Sequence, residues 1–312
     1  MARIDEILAA ERPGFARAVK AVIAGDAPAL RAELSAEPEL VWVRSSSAHR
    51  ATLLHYTAAN GIECELQREV PNADEIARML LVAGAEPDAL CDAYDGKCPT
   101  TLDLLASSDH PNEAGVAGRL TVVLCSHGAA VDGVEGNGSP LATALYFANL
   151  DCVDALLTVG ARTENVVFAA AADKTDWVHA WLDGDRDDDA RSVPASFPLS
   201  SNRRIAAQQA LAFASMCGRI EVVRALVGRG VDVNACPPGS HRTGTALHTA
   251  RTGTALHTAA YQGQVEIAAF LLKSGADPAI RDARHRGTPL EWTQHAPRRR
   301  RGGAQEVARL LA

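Results

Sequence analysis

One unit of sequence grammar recurs along this 312-residue chain and limits what it can become. Its clearest copy is residues 254–281, TALHTAAYQGQVEIAAFLLKSGADPAIR. Thr254 is a good helix N-cap, a short apolar helix follows, and Gly263 stops it. A second helix starts at Val265 and runs to about Lys273. Val265, Ile267, Ala268, Phe270, Leu271 and Leu272 supply its apolar stripe. Gly275 is placed for a left-handed C-cap, and Asp277-Pro278 signals a turn. Two such helices cannot bury their apolar faces alone, so each copy has to stack on its neighbours.

The grammar returns at 52–89 (TLLHYTAANG, then EIARMLLVAGAEPDA) and at 100–132 (TTLDLLASS, then LTVVLCSHGAAVD). It returns again at 139–162, 206–234 and 288–312. Residues 15–41 have the two-helix shape, and 165–183 form a degenerate copy, which makes seven or eight units in all. We read a single array over 1–312, with 1–48 as N-terminal cap and 286–312 as C-terminal cap. Hydrophobic residues make up 47% but aromatics only 4%, so the core has to be built from Ala, Leu and Val. Such a core suits short helices that approach closely.

The departures are informative. Polar inserts at 62–72 and 107–116 separate the two helices of their units. Residues 183–204 contain GDRDDDARSVPASFPLSSNRR, and 184–204 is a candidate flexible joint. The run RRRRGG at 298–303 splits the last unit. Residues 242–250 (RTGTALHTA) repeat identically as 251–259. The second copy runs on into Ala260, Tyr261, Gln262 and Gly263, so we place it in the helix and the first copy, with His248, in an enlarged loop.

These units resemble ankyrin repeats, whose unit of about 33 residues runs T-P-L-H-x-A-A, then G-x-x-x-V-V-x-L-L-x-x-G-A. The resemblance covers about 80% of the chain. Thr254-Ala255-Leu256-His257 and Thr52-Leu53-Leu54-His55 keep the ends of the first motif. Ser139-Pro140-Leu141 and Thr288-Pro289-Leu290 keep its start. The resemblance implies an all-α helix-turn-helix solenoid that binds another protein on its concave face. It implies that His55 and His257 fix repeat stacking. It places the partner-binding groove at Tyr56, Asn60, Tyr146, Phe147, Asp173, Met216, Tyr261, Gln262 and Trp292, beside Phe213. Finger loops add Tyr94, Asp95 and Lys97.

Other chemistry is weakly represented. The G-x-S-x-G elbow, the Walker loop and the dinucleotide fingerprint are all missing from the sequence. The glycine-rich stretch 133–138 falls where a finger loop belongs. Seven cysteines include no short C-x-x-C pair, and Cys91 and Cys98 with Asp92 and Asp95 match no zinc spacing. We therefore expect reduced thiols, no cofactor and no metal. No stretch reaches the roughly 18 apolar residues of a membrane span, and Arg3, Asp5 and Glu6 break any signal-peptide core. A net charge of −7 argues against nucleic acid. We expect a non-enzymatic, monomeric, cytoplasmic protein, with the Ala- and Arg-rich composition of GC-rich bacterial genomes.

Two alternatives stay open. Inserts 62–72 and 107–116 would close a small-molecule or catalytic pocket lined by His55, Tyr56, Tyr94 and His110. The acidic run 183–189 would hold a metal or a basic partner, and the arginines at 298–301 would grip nucleic acid, phosphate or an acidic partner.

Overall fold

The computed structural model describes residues 2–58, 62, 64–93, 99–195, 197–237, 253–283 and 285–312. Among them every regular element is a helix, and no helix is long and apolar enough to cross a membrane. The chain divides into two compact units, Met1–Ala161 and Arg162–Ala312.

The first unit opens with α1 (Ala2–Ile7) and continues as helix pairs. These are α2 (Pro13–Ala24) with α3 (Ala27–Ala36), and α4 (His55–Ala58) with α5 (Ala73–Val82). Next come α6 (Thr101–Ala106), the short α7 (Asp109–Glu113) and α8 (Ala117–Ser126), then α9 (Ser139–Phe147) with α10 (Leu150–Thr158). First helices α2, α4, α6 and α9 pack in one layer, and second helices α3, α5, α8 and α10 in another. Phe15, Leu53, Leu54, Ile76, Leu80, Leu102, Leu104 and Leu105 are sealed between them. Burying a leucine of this kind is worth about 1.5–3 kcal/mol, so the layers hold through many modest terms.

The second unit repeats the plan. Its pairs are α11 (Val166–Ala171) with α12 (Thr175–Asp183), and α13 (Arg203–Cys217) with α14 (Ile220–Gly228). Then follow α15 (Ala255–Gln262) with α16 (Val265–Lys273), and α17 (Pro289–Thr293) with α18 (Arg301–Leu311). Again the first and second helices form separate layers. The second copy of the duplicated nonapeptide supplies Thr254 and the first turns of α15. The first copy, with His248, lies outside the described residues.

A recurring device links consecutive pairs. The N-cap residue of a second helix reaches back to a carbonyl of the preceding pair, where it donates. Asn72 does so to Gly25 O (2.9 Å), Asn149 to Leu105 O (3.2 Å), Arg219 to Ala171 O (2.7 Å) and Gln264 to Met216 O (3.2 Å). Each bond satisfies a carbonyl orphaned at a first helix's C-terminus.

Three expectations change on inspection. Residues 184–204 belong wholly to the second unit and are pinned to it. Asp188 Oδ1 accepts from Val166 N (2.7 Å), Ser192 Oγ meets Asn165 Nδ2 (3.1 Å), Phe197 is buried, and Arg203 stacks 4.1 Å above Trp181. The segment is a side support for α11–α13, not a link between bodies. The arginine run does not interrupt the last pair either. Arg298–Arg300 form a 3-10 turn that leads directly into α18. Finally, both polar inserts are tied down by one residue. Arg119 donates to Pro71 O (3.1 Å), to Gly115 O (3.2 Å) and to Asp74 (3.0 Å), bridging the ends of 62–72 and 107–116.

Where Gly218 and Gly263 close α13 and α15, Asp173 follows α11 with φ +59° and an exposed side chain. A left-handed conformation costs a non-glycine residue about 1–2 kcal/mol, offset partly by the unfolded-state entropy of glycine. Asp173→Gly is expected to stabilise the protein by about 0.5 kcal/mol, read as a higher denaturation midpoint in urea. An unchanged or lower midpoint contradicts the argument.

Candidate functional site

The first helices carry two kinds of residue, those whose polar atoms are committed to backbone and those that are at least partly exposed. His55 and His257 are of the first kind. Each sits three residues after a threonine, Thr52 before α4 and Thr254 at the N-cap of α15, which brings its ring back over the start of its own helix. Thr52 N donates to His55 Nδ1 (3.1 Å), and Thr254 N donates to His257 Nδ1 (3.1 Å). Nδ1 therefore accepts, so the proton sits on Nε2. That N–H donates forward to Ala89 O (2.9 Å) from His55 and to Gly287 O (3.1 Å) from His257. Both rings are fully enclosed. Burial pushes the His55 imidazole down to about 4 and lowers that of His257 too. Both nitrogens of each ring are committed to backbone, which leaves neither imidazole available to a bound substrate.

The residues expected in the groove divide by exposure. Tyr56 is only 4% exposed and stands edge-on to Phe15 at 6.4 Å, so it fills core volume. Met216 and Gln262 are buried. Trp292 is buried as well and donates from Nε1 to Asp282 Oδ2 (3.1 Å). These four do not present themselves to a partner. Four others do. Tyr146 and Phe147 are half-buried at the end of α9, with ring centroids 5.0 Å apart. Tyr261 is half-buried at the end of α15, edge-on to Trp292 at 6.3 Å, and Asp173 is exposed. Phe213 is half-buried against Phe197 (5.8 Å). Asn60, Tyr94, Asp95 and Lys97 lie outside the described residues.

Four of the five aspartates of the acidic run meet internal partners. Asp183 pairs with Arg229, Asp187 with Arg203 (2.9 Å) and Asp189 with Arg162 (3.4 Å), while Asp188 caps α11. Sequence reading missed Arg119 and the second-helix N-caps. Their only signal was an Asn, Arg or Gln at the turn inside each unit, a position easily read as solvated.

Residues 167–282 match the family model for ankyrin repeats (3 copies). Over this stretch the chain is similar to ankyrin repeats. Ankyrin repeats are generally protein-interaction modules, and stacked repeats of this class present extended binding surfaces. The solved ankyrin repeat domain of human ASB11 is 18% identical, with a TM-score of 0.41, over 97% of this chain and 98% of that chain. No curated protein sequence matches the chain.

Proposed function

We propose that the protein is a non-catalytic, monomeric cytoplasmic scaffold that captures another protein on the outward side of its first-helix layer. The observation that carries this reading is the half-exposed aromatic pair Tyr146 and Phe147, in a chain where aromatics are 4% of residues. Tyrosine and phenylalanine left half-open at the end of a rigid helix are suited to anchor a partner at low entropic cost. In the second unit the half-buried Tyr261 and Phe213 and the exposed Asp173 belong to or follow the first helices α15, α13 and α11 and would serve likewise. The commitment of His55 to backbone supports a binding role over a catalytic one.

The test is affinity capture from the native lysate with wild type and with Tyr146→Ser/Phe147→Ser and Tyr261→Ser variants. A protein held by wild type and lost by a variant that melts normally supports the reading. Equal capture by all three rejects the assignment of this face.

A further inference from the structure

We propose a second docking surface, on the first unit: the indole of Trp42 takes the guanidinium of an arginine from a basic peptide segment. The structural duty of this residue does not require a tryptophan. Trp42 follows the 3-10 turn Pro38–Val41, and its Nε1 donates to the carbonyl of Gly84 (2.8 Å), just past α5. In the second unit Asn234 holds the same register. Its Nδ2 donates to Gly275 O (3.0 Å), just past α16, and its Oδ1 accepts from Asp277 N (2.8 Å). Asp88 makes the second kind of bond, accepting from Ala130 N (3.0 Å) two residues beyond Gly128. A short polar side chain is therefore enough to tie one helix pair to the next. An indole has one donor and no acceptor, so it makes a single bond where asparagine makes two.

The indole adds open surface instead. Trp42 is 60% exposed, whereas Trp181 and Trp292 are buried. Its Cζ2 lies 3.4 Å from the place a Gly84 Cβ would take. That contact and the hydrogen bond hold the ring in position, so it has little freedom left to lose on binding. An open tryptophan face attracts a cation through its quadrupole. The chain already uses this pairing within its second unit, where Arg203 lies 4.1 Å from the Trp181 ring centroid and Arg186 5.9 Å from that of Trp177.

Charge selects the occupant. Met1–Ala161 carries 11 lysines and arginines against 23 aspartates and glutamates, a net of −12, whereas the whole chain is −7. A field of that sign belongs to the unit as a whole, however its ion pairs are arranged. It draws in a cationic segment and opposes nucleic acid. A carboxylate is also placed locally. Glu86 lies two residues past Gly84, the register of Asp277 past Gly275, which sets its backbone beside the indole, and it is exposed. Arginine suits this pair, because its planar guanidinium stacks on a ring while its N–H fork meets a carboxylate.

The test uses the full chain and fluorescence anisotropy with labelled octa-arginine, octalysine and octaglutamine, at about 50 mM salt, where screening is weak. The variants are Trp42→Asn, which can keep the bond to Gly84, Glu86→Gln, and Glu75→Gln. The last removes an equal charge from an exposed site in the first turn of α5. Each is checked by thermal melting. The expected result is octa-arginine bound more tightly than octalysine, octaglutamine not bound, and a loss of about fivefold in Trp42→Asn. Glu86→Gln should lose more than Glu75→Gln. In NMR spectra the Trp42 indole N–H signal, identified by its absence from Trp42→Asn, should shift as octa-arginine is added while that of Trp181 stays. Equal octa-arginine binding by wild type and Trp42→Asn, or no binding at all, overturns the proposal. Octalysine bound as tightly as octa-arginine, or equal losses in the two glutamine variants, also overturns it and leaves only the field of the unit. Octaglutamine bound as tightly as octa-arginine overturns it and assigns the indole to uncharged segments.

Discussion

Acidifying the protein from about pH 7 to about pH 4 should remove about 3 kcal/mol of stability through His55 alone. The sign follows from the ring's environment. Its folded pKa lies near 4, below the ordinary 6.5, because burial penalises the cation. Between those values the unfolded chain takes up a proton that the folded chain refuses, so stability falls as pH drops. It is fully present above about 6.5 and lost progressively toward 4. Protonation would also set an Nδ1–H against the Thr52 N–H, two donors facing one another. His257 shifts in the same direction, with a matching bond to Thr254 N. Asp183, Asp189 and Glu291 are held below the ordinary carboxylate range by their hydrogen-bond partners and so act chiefly at and below the lower end of this window. His55→Ala should cost about 3 kcal/mol at neutral pH, because it leaves a cavity and two unsatisfied buried backbone groups. The same variant should show a clearly shallower loss between pH 6.5 and 4. Urea denaturation at several pH values decides it; a wild-type midpoint flat across the window would refute the neutral buried imidazole.

Gly263→Ala should be the more damaging of two outwardly similar substitutions, with Gly230→Ala as its comparison. Both glycines are left-handed, at φ +68° and +77°, so both replacements incur a backbone penalty of about 1 kcal/mol. Around Gly230 a new Cβ meets open space. At Gly263 it would lie 2.6 Å from Ala304 N and 2.8 Å from Gly303 C, backbone atoms at the start of α18. Backbone cannot rotate away as a side chain tip can, so α18 has to shift. We expect about 3 kcal/mol or more for Gly263→Ala, with early hydrogen exchange in α18. Equal losses for the two variants would show that the close approach contributes nothing.

Much of the fold was legible because its signals are local. Thr254, Gly263 and Gly275 punctuate the 254–281 unit as their backbone preferences require, and the structure starts and stops α15 and α16 there. The histidines were legible through resemblance, and their bonding geometry supplies the reason. Exposure was less legible. Only four residues of α4 are described, too few for periodicity to say which way Tyr56 points, and a core poor in aromatics draws the ring inward against Phe15. The support at 184–204 also escaped notice. A polar, acidic sequence reads as solvated until its carboxylates are seen to face Arg162, Arg203 and the α11 N-terminus.

The central claim is that the first-helix layer is the capturing face, and hydrogen exchange of the purified protein with and without its captured partner tests it most directly. The account predicts added protection at the ends of α9 and α15, around Tyr146, Phe147 and Tyr261, with α8, α14 and α16 unchanged. Protection confined to those second helices, with none at α9 or α15, would contradict it.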